Sequence, residues 1–76
     1  SENIHMYPNP VQDILYFEGI EMEKEFQYEI YNSIGLMIDK GICKNNKIKM
    51  QNFSSGIYLI NCHINNTTYN FFVVKE

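Results

Sequence analysis

The chain has 76 residues, 45% of them hydrophobic and 14% aromatic, with six lysines and no arginine against nine acidic residues, for a net charge of −3. That length holds one small domain, and that apolar content is enough to fill a core, which excludes a multidomain protein and a disordered tail. So few cations leave counterion release without a source, which excludes nucleic acid; no apolar run reaches the ~20 residues of a membrane-spanning helix, which excludes direct membrane insertion.

In chain order, a first strand is predicted over 3–7 and ends at Tyr7-Pro8-Asn9-Pro10. Its two prolines each lack a backbone donor and fix φ, so a paired strand cannot run through them. The segment 14–18 alternates with Leu15 and Phe17 inward, and 25–31 does so with Phe26, Tyr28 and Ile30. Asn32-Ser33-Ile34-Gly35 reads as a tight hairpin in which Gly35 tolerates a positive φ. Strands over 35–43 and 47–51 flank Asn45-Asn46, and Ile48 and Met50 face inward on the second of them. Ser54-Ser55-Gly56 leads into 56–64, where Tyr58, Ile60, Cys62 and Ile64 share a face; Asn65-Asn66 then turns the chain into 67–74. No stretch sustains a helical period. The spacing predicts an all-β fold, an immunoglobulin-like β-sandwich of about seven antiparallel strands in two packed sheets, and a single domain over 1–76.

The chain offers little chemistry. Catalysis needs a nucleophile, a base and an orienting group, or a metal held by three or more ligands. His5 and His63 stand apart in the sequence, and His63 alternates out of phase with the core face, toward solvent or the opposite side. Cys62 and His63 are adjacent and therefore point to opposite faces of a strand. Two cysteines and two histidines form no zinc pattern, and no phosphate loop or other cofactor motif appears, so no catalytic residue, metal or cofactor is assigned. Cys43 and Cys62 read as reduced, buried residues on neighbouring strands, with a disulfide as the alternative. The acidic residues Glu18, Glu21, Glu23 and Glu25 and the basic residues Lys40, Lys44, Lys47 and Lys49 read as solvated charge. Asn66-Thr67-Thr68 has the form of a glycosylation sequon, a pattern common by chance.

Four segments taken together carry a resemblance. Tyr7-Pro8-Asn9-Pro10 is followed by Val11, Asp13, Leu15 and Phe17. Ile30-Tyr31-Asn32 is followed by Gly35 and Ile38. Phe53-Ser54-Ser55-Gly56-Ile57-Tyr58-Leu59-Ile60 forms the third segment, and Phe71-Phe72-Val73-Val74-Lys75-Glu76 the fourth. In this order and spacing they resemble the C-terminal sorting domain of type IX secretion cargo in the Bacteroidetes, over nearly the whole chain. The departures are Leu36, where a lysine, arginine or glutamine often stands, Asn70, where a lysine often stands, and Phe53 in place of leucine.

The resemblance implies a secretion signal joined to a cargo domain on its N-terminal side and cut from the end of a larger secreted protein. It implies passage through the periplasm, recognition by the type IX translocon, export to the outer-membrane surface or medium, and removal by a sortase. Tyr7, Pro8, Asn9, Pro10, Gly35, Gly56 and Tyr58 are then scaffold residues. Recognition falls to Phe71, Phe72, Val73, Val74, Lys75 and Glu76, a segment apolar on both faces whose buried side alternation alone does not decide. The alternative reading is a carbohydrate-binding or adhesive module using Tyr16, Tyr31 and Tyr69; a third is a plain spacer.

Overall fold

Alternating apolar and polar side chains resolve into seven strands in the computed structural model of the protein, which describes residues 4–19 and 25–76. They are β1 (His5–Tyr7), β2 (Ile14–Glu18), β3 (Glu25–Tyr31), β4 (Met37–Lys44), β5 (Lys47–Lys49), β6 (Gly56–Ile64) and β7 (Thr67–Lys75). The acidic pair Glu21 and Glu23 lies outside the described residues, while Glu18 and Glu25 are exposed, as are all four lysines from 40 to 49.

The first strand begins at His5 rather than 3 and the last runs one residue further than predicted, to Lys75, while the fourth and fifth are trimmed because turns claim their ends. The fourth begins at Met37 rather than 35, since the Asn32 carboxamide oxygen accepts from the N–H groups of Ile34 (3.1 Å) and Leu36 (3.0 Å). Gly35 sits in the same turn at φ +89, a conformation costly for any residue with a Cβ. The fifth stops at Lys49 rather than 51, because the Met50 carbonyl accepts from Phe53 N–H (3.0 Å) and bends the chain away.

The strands are hydrogen-bonded in the order β1-β2-β5-β4-β3-β6-β7, and every neighbouring pair is antiparallel. Two packed sheets were expected from the spacing; the hydrogen bonding instead runs through all seven strands. At the far edge β7 meets the loop after β1 in a parallel bridge between Val11 and Lys75, so the sheet is nearly closed, like a barrel. Continuity across the middle comes from the β4–β5 hairpin, where Asn45 and Asn46 hold φ of 59° and 58°. Asn65 and Asn66 repeat the arrangement between β6 and β7 at 53° and 64°. Two-residue turns with both central φ values positive match the twist of antiparallel strands, and asparagine tolerates that region better than most residues.

The inner face carries most of the residues that alternation predicts: Leu15 and Phe17, Phe26 and Ile30, Ile48, Met50, Tyr58, Ile60, Cys62 and Ile64 are all buried. Tyr28, expected with them, is only half-buried and packs against this core as its hydroxyl donates to the Asp39 carboxylate. Val11, Cys43 and Val73 join them. The rings of Phe17 and Phe26 meet edge to face at 5.4 Å, and Phe17 and Phe71 at 5.8 Å. Cys43 and Cys62 are both buried free thiols, but they are not on neighbouring strands. β3 lies between them, with Phe26 opposite Cys43 and Tyr28 opposite Cys62. Two interstrand spacings, about 9–10 Å, exceed the ~7 Å that a disulfide allows between Cα atoms.

Tyr58 anchors the turn before β6. Its hydroxyl donates to the Ser54 carbonyl at 2.6 Å while its ring packs on Phe53 at 5.4 Å. Gly56 opens β6 at φ +157, opposite Lys75 of β7. Removing the hydroxyl in Tyr58→Phe is expected to lower the unfolding free energy by about 1 kcal/mol, read as a lower urea midpoint at constant slope.

Candidate functional site

The last strand sorts its side chains strictly by parity. Val73 is fully buried, Phe71 packs on the core, and Lys75 is only 8% exposed, while Phe72 is 70% exposed and Val74 and Glu76 also face out. The six residues 71–76 therefore do not act as one patch. Three belong to the scaffold, and Phe72, Val74 and Glu76 are the ones a partner can touch. The Lys75 ammonium donates to the main-chain oxygen of Glu76 at 2.9 Å, with its stem laid along the buried side.

Register places the outward residues in rows across three strands. Tyr31 of β3 lies opposite Leu59 of β6, which lies opposite Phe72 of β7; Ile57, 54% exposed, lies opposite Val74. Tyr31, Leu59, Phe72 and Ile57, with Ser33 and Gly35 of the β3–β4 turn, bound an open groove of about 340 Å³ on the outer face, and Val74 lies beside it. Ile34, 77% exposed, and Leu36 extend apolar surface along the same turn. Asn61, which also lines the groove, has its carboxamide oxygen buried without a hydrogen-bond partner among the described residues. An apolar surface spread over adjacent strands is uncommon on a protein with no partner.

Beside the apolar rows lies a polar tie that sequence reasoning missed by treating His63 as isolated. Its Nε2 is 2.9 Å from the Glu29 carboxylate and its Nδ1 is 3.0 Å from the Thr68 hydroxyl, which links β3, β6 and β7 across the outer face. Expecting His63 on the side opposite the core was correct; the signal that could have paired it is the antiparallel register, which sets Gln27 and Thr68 against His63. The pair is part-exposed, so it contributes on the order of 0–1 kcal/mol. Among the described residues, no group of three or more His, Cys, Asp or Glu side chains could hold a metal ion.

The outer edge of β7 is held by the loop that begins with the tyrosine-proline motif. Asn9 donates from Nδ2 to the Phe72 carbonyl (3.0 Å) and accepts at Oδ1 from Val74 N–H (2.9 Å). Val11 N–H donates to the Val74 carbonyl (2.8 Å), and Glu76 N–H donates to the Val11 carbonyl (2.9 Å). The first and last motifs of the sequence thus meet in space.

A family model described as a secretion system C-terminal sorting domain matches residues 5–76. The chain belongs to that family. It is a sorting signal for type IX secretion, which joins a cargo protein to the secretion machinery and takes it across the outer membrane to the cell surface or medium. No curated protein matches the sequence.

Within the sorting domain, the scaffold residues Tyr7, Pro8, Asn9, Pro10, Gly35, Gly56 and Tyr58 lie in or beside turns. Tyr7 stacks on Tyr16 at 5.7 Å, and the Tyr7–Pro8 and Asn9–Pro10 bonds are both cis. The three tyrosines considered for sugar stacking are not brought together. Tyr16 is on β2 and Tyr31 on β3, with β5 and β4 between them in the sheet, and Tyr69 packs against the core from β7.

Proposed function

We propose that the type IX translocon reads this sorting domain through the outward face of β6 and β7, centred on Phe72 with Ile57, Leu59 and Val74 around it. The carrying observation is that Phe72, in the middle of a fully paired hairpin, exposes 70% of its surface in a row of apolar neighbours instead of folding onto the core. Burying such a ring against a partner contributes about 1.5–3 kcal/mol from area alone.

Passage of the cargo through the periplasm and later removal of the domain by a sortase belong to the same reading, supported by the family. So does an immunoglobulin-like sandwich: β1-β2-β5 and β4-β3-β6-β7 are joined by one residue pair, Lys44 with Lys47, and by the bridge at Val11, which are thin seams between two layers.

Substitution tests this better than deletion, because removing residues 71–76 also removes buried Val73 and the bridge at Lys75 and would unfold the domain. Residues 1–76 are fused behind a signal peptide and a fluorescent reporter in a type IX-competent host, with and without Ile57→Thr and Phe72→Ser together. The parent is expected in the medium or on the surface, and the double variant retained inside at least tenfold more, with thermal unfolding unchanged within a few degrees. Equal export of both would exclude this face.

A further inference from the structure

The contact between Asn9 and β7 has a logic that the motif alone does not reveal. A strand edge offers alternating N–H and C=O groups, and the usual way to satisfy them is another strand. The loop at 8–10 cannot supply one, since Pro8 and Pro10 have no N–H to donate. Asn9 solves this with its side chain. A carboxamide carries one carbonyl and one NH2, the same donor and acceptor pair as a peptide group, and here it donates to Phe72 O and accepts from Val74 N–H. The two partners also fix which way the carboxamide points, because one can only accept and the other can only donate. Val11 then continues with main-chain bonds to Val74 O and Glu76 N–H. Four successive outward backbone groups, from Phe72 O to the Glu76 N–H just past β7, are satisfied by two residues, Asn9 and Val11, two of the bonds through one exposed side chain.

We infer that Asn9 is a positioning residue for sorting: its carboxamide stands in for an edge-strand peptide and holds the Phe72–Val74 backbone in place, so that the Phe72 ring is presented in register with Leu59. This rests on the proposed reading of the outward face of β7. The Asn9 side chain is exposed and contributes nothing to the core, so its loss leaves the fold standing. What changes is the local opening of β7. The same bonds block half of the strand's outer edge, which keeps an apolar strand from pairing with other chains.

The test is hydrogen exchange at the Val74 amide in Asn9→Ala and Asn9→Asp, with export of the reporter fusion measured beside it. Asn9→Ala is expected to speed exchange of Val74 by about 5- to 10-fold, the worth of one hydrogen bond, while the Ile60 amide exchanges as in the parent. Asn9→Asp keeps the acceptor for Val74 N–H and sets a carboxylate oxygen against the Phe72 carbonyl. It is expected to retain most of the Val74 protection, and its export should lie between the parent and Asn9→Ala. Unchanged Val74 exchange in Asn9→Ala would overturn the inference. So would faster exchange with full export, provided that the Ile57→Thr, Phe72→Ser variant is retained. If that double variant is exported normally, the reading of the face has failed, and exchange at Val74 with export of Asn9→Ala still decides whether Asn9 positions the strand for sorting.

Discussion

Ile60→Ala is expected to lower the unfolding free energy by about 2–5 kcal/mol, a large part of what a domain of this size possesses. Ile60 is fully buried at the centre of β6, between Ile30 of β3 and Phe71 of β7 in the register, so its neighbours cannot close around the missing atoms without moving three strands. The cost combines lost burial with the cavity left behind. Chemical denaturation with a circular dichroism readout measures it, and a midpoint equal to the parent's would contradict the placement of Ile60 in the core. The outer-face substitutions at Ile57 and Phe72 are expected to cost far less, because those side chains are already in water.

The second large effect concerns the thiols. Burial is the main cause that pushes Cys43 from its ordinary 9.0 up to about 11, partly offset by backbone groups of Lys47 and Asn46. Burial, then the neighbouring Cys43 and Glu29, push Cys62 to about 12. Since the thiolate is the reactive form, shifts of this size cut its fraction near neutral pH about 100-fold at Cys43 and about 1000-fold at Cys62, before any steric protection. Alkylation of the native domain is therefore expected to be slower than that of the unfolded chain by at least about 100-fold. Rapid labelling of either thiol under native conditions would contradict this.

The same shifts set a pH dependence. Both groups hold their protons more tightly when folded, so their contribution to stability is intact below pH 9 and is lost as pH rises through about 11 and 12. Tyr28, raised above its ordinary 10.0 by burial and by the nearby Asp39 carboxylate, adds loss in the same direction. Urea midpoints should fall steadily through this alkaline range.

Much of the architecture was legible in the residues, because a strand with one wet face must alternate. Leu15 with Phe17, Phe26 with Ile30, and the run from Tyr58 to Ile64 followed from period two alone. Alternation failed at Phe71 to Val74, where every side chain is apolar, and there the pairing of Val73 with Tyr58 and of Phe72 with Leu59 decides the matter. The order of strands was also hidden. β2 pairs with β5 and β3 with β6, long-range choices with no local signal, and these put β3 between the two cysteines.

Turn chemistry was partly visible. Gly35 and the two Asn-Asn pairs announced hairpins, but whether the sheet closes depends on the bridge between Val11 and Lys75, 64 positions apart. The candidate site was legible as a segment and not as a surface. The family motif pointed to 71–76, whereas the surface also draws Tyr31, Ile57 and Leu59 from two other strands. Asn9 was visible only as a member of a turn, since nothing in the sequence says that its carboxamide meets β7.

The most direct measurement of the central claim places a photoreactive phenylalanine analogue at position 72 and, separately, at Ile42, which is exposed on β4 at the other end of the outer face. Each chain carries the reporter, and irradiation is performed during export in a type IX-competent host. The account predicts a covalent adduct with a component of the secretion machinery from position 72 and little or none from position 42. An adduct from position 42 with none from position 72 would contradict it.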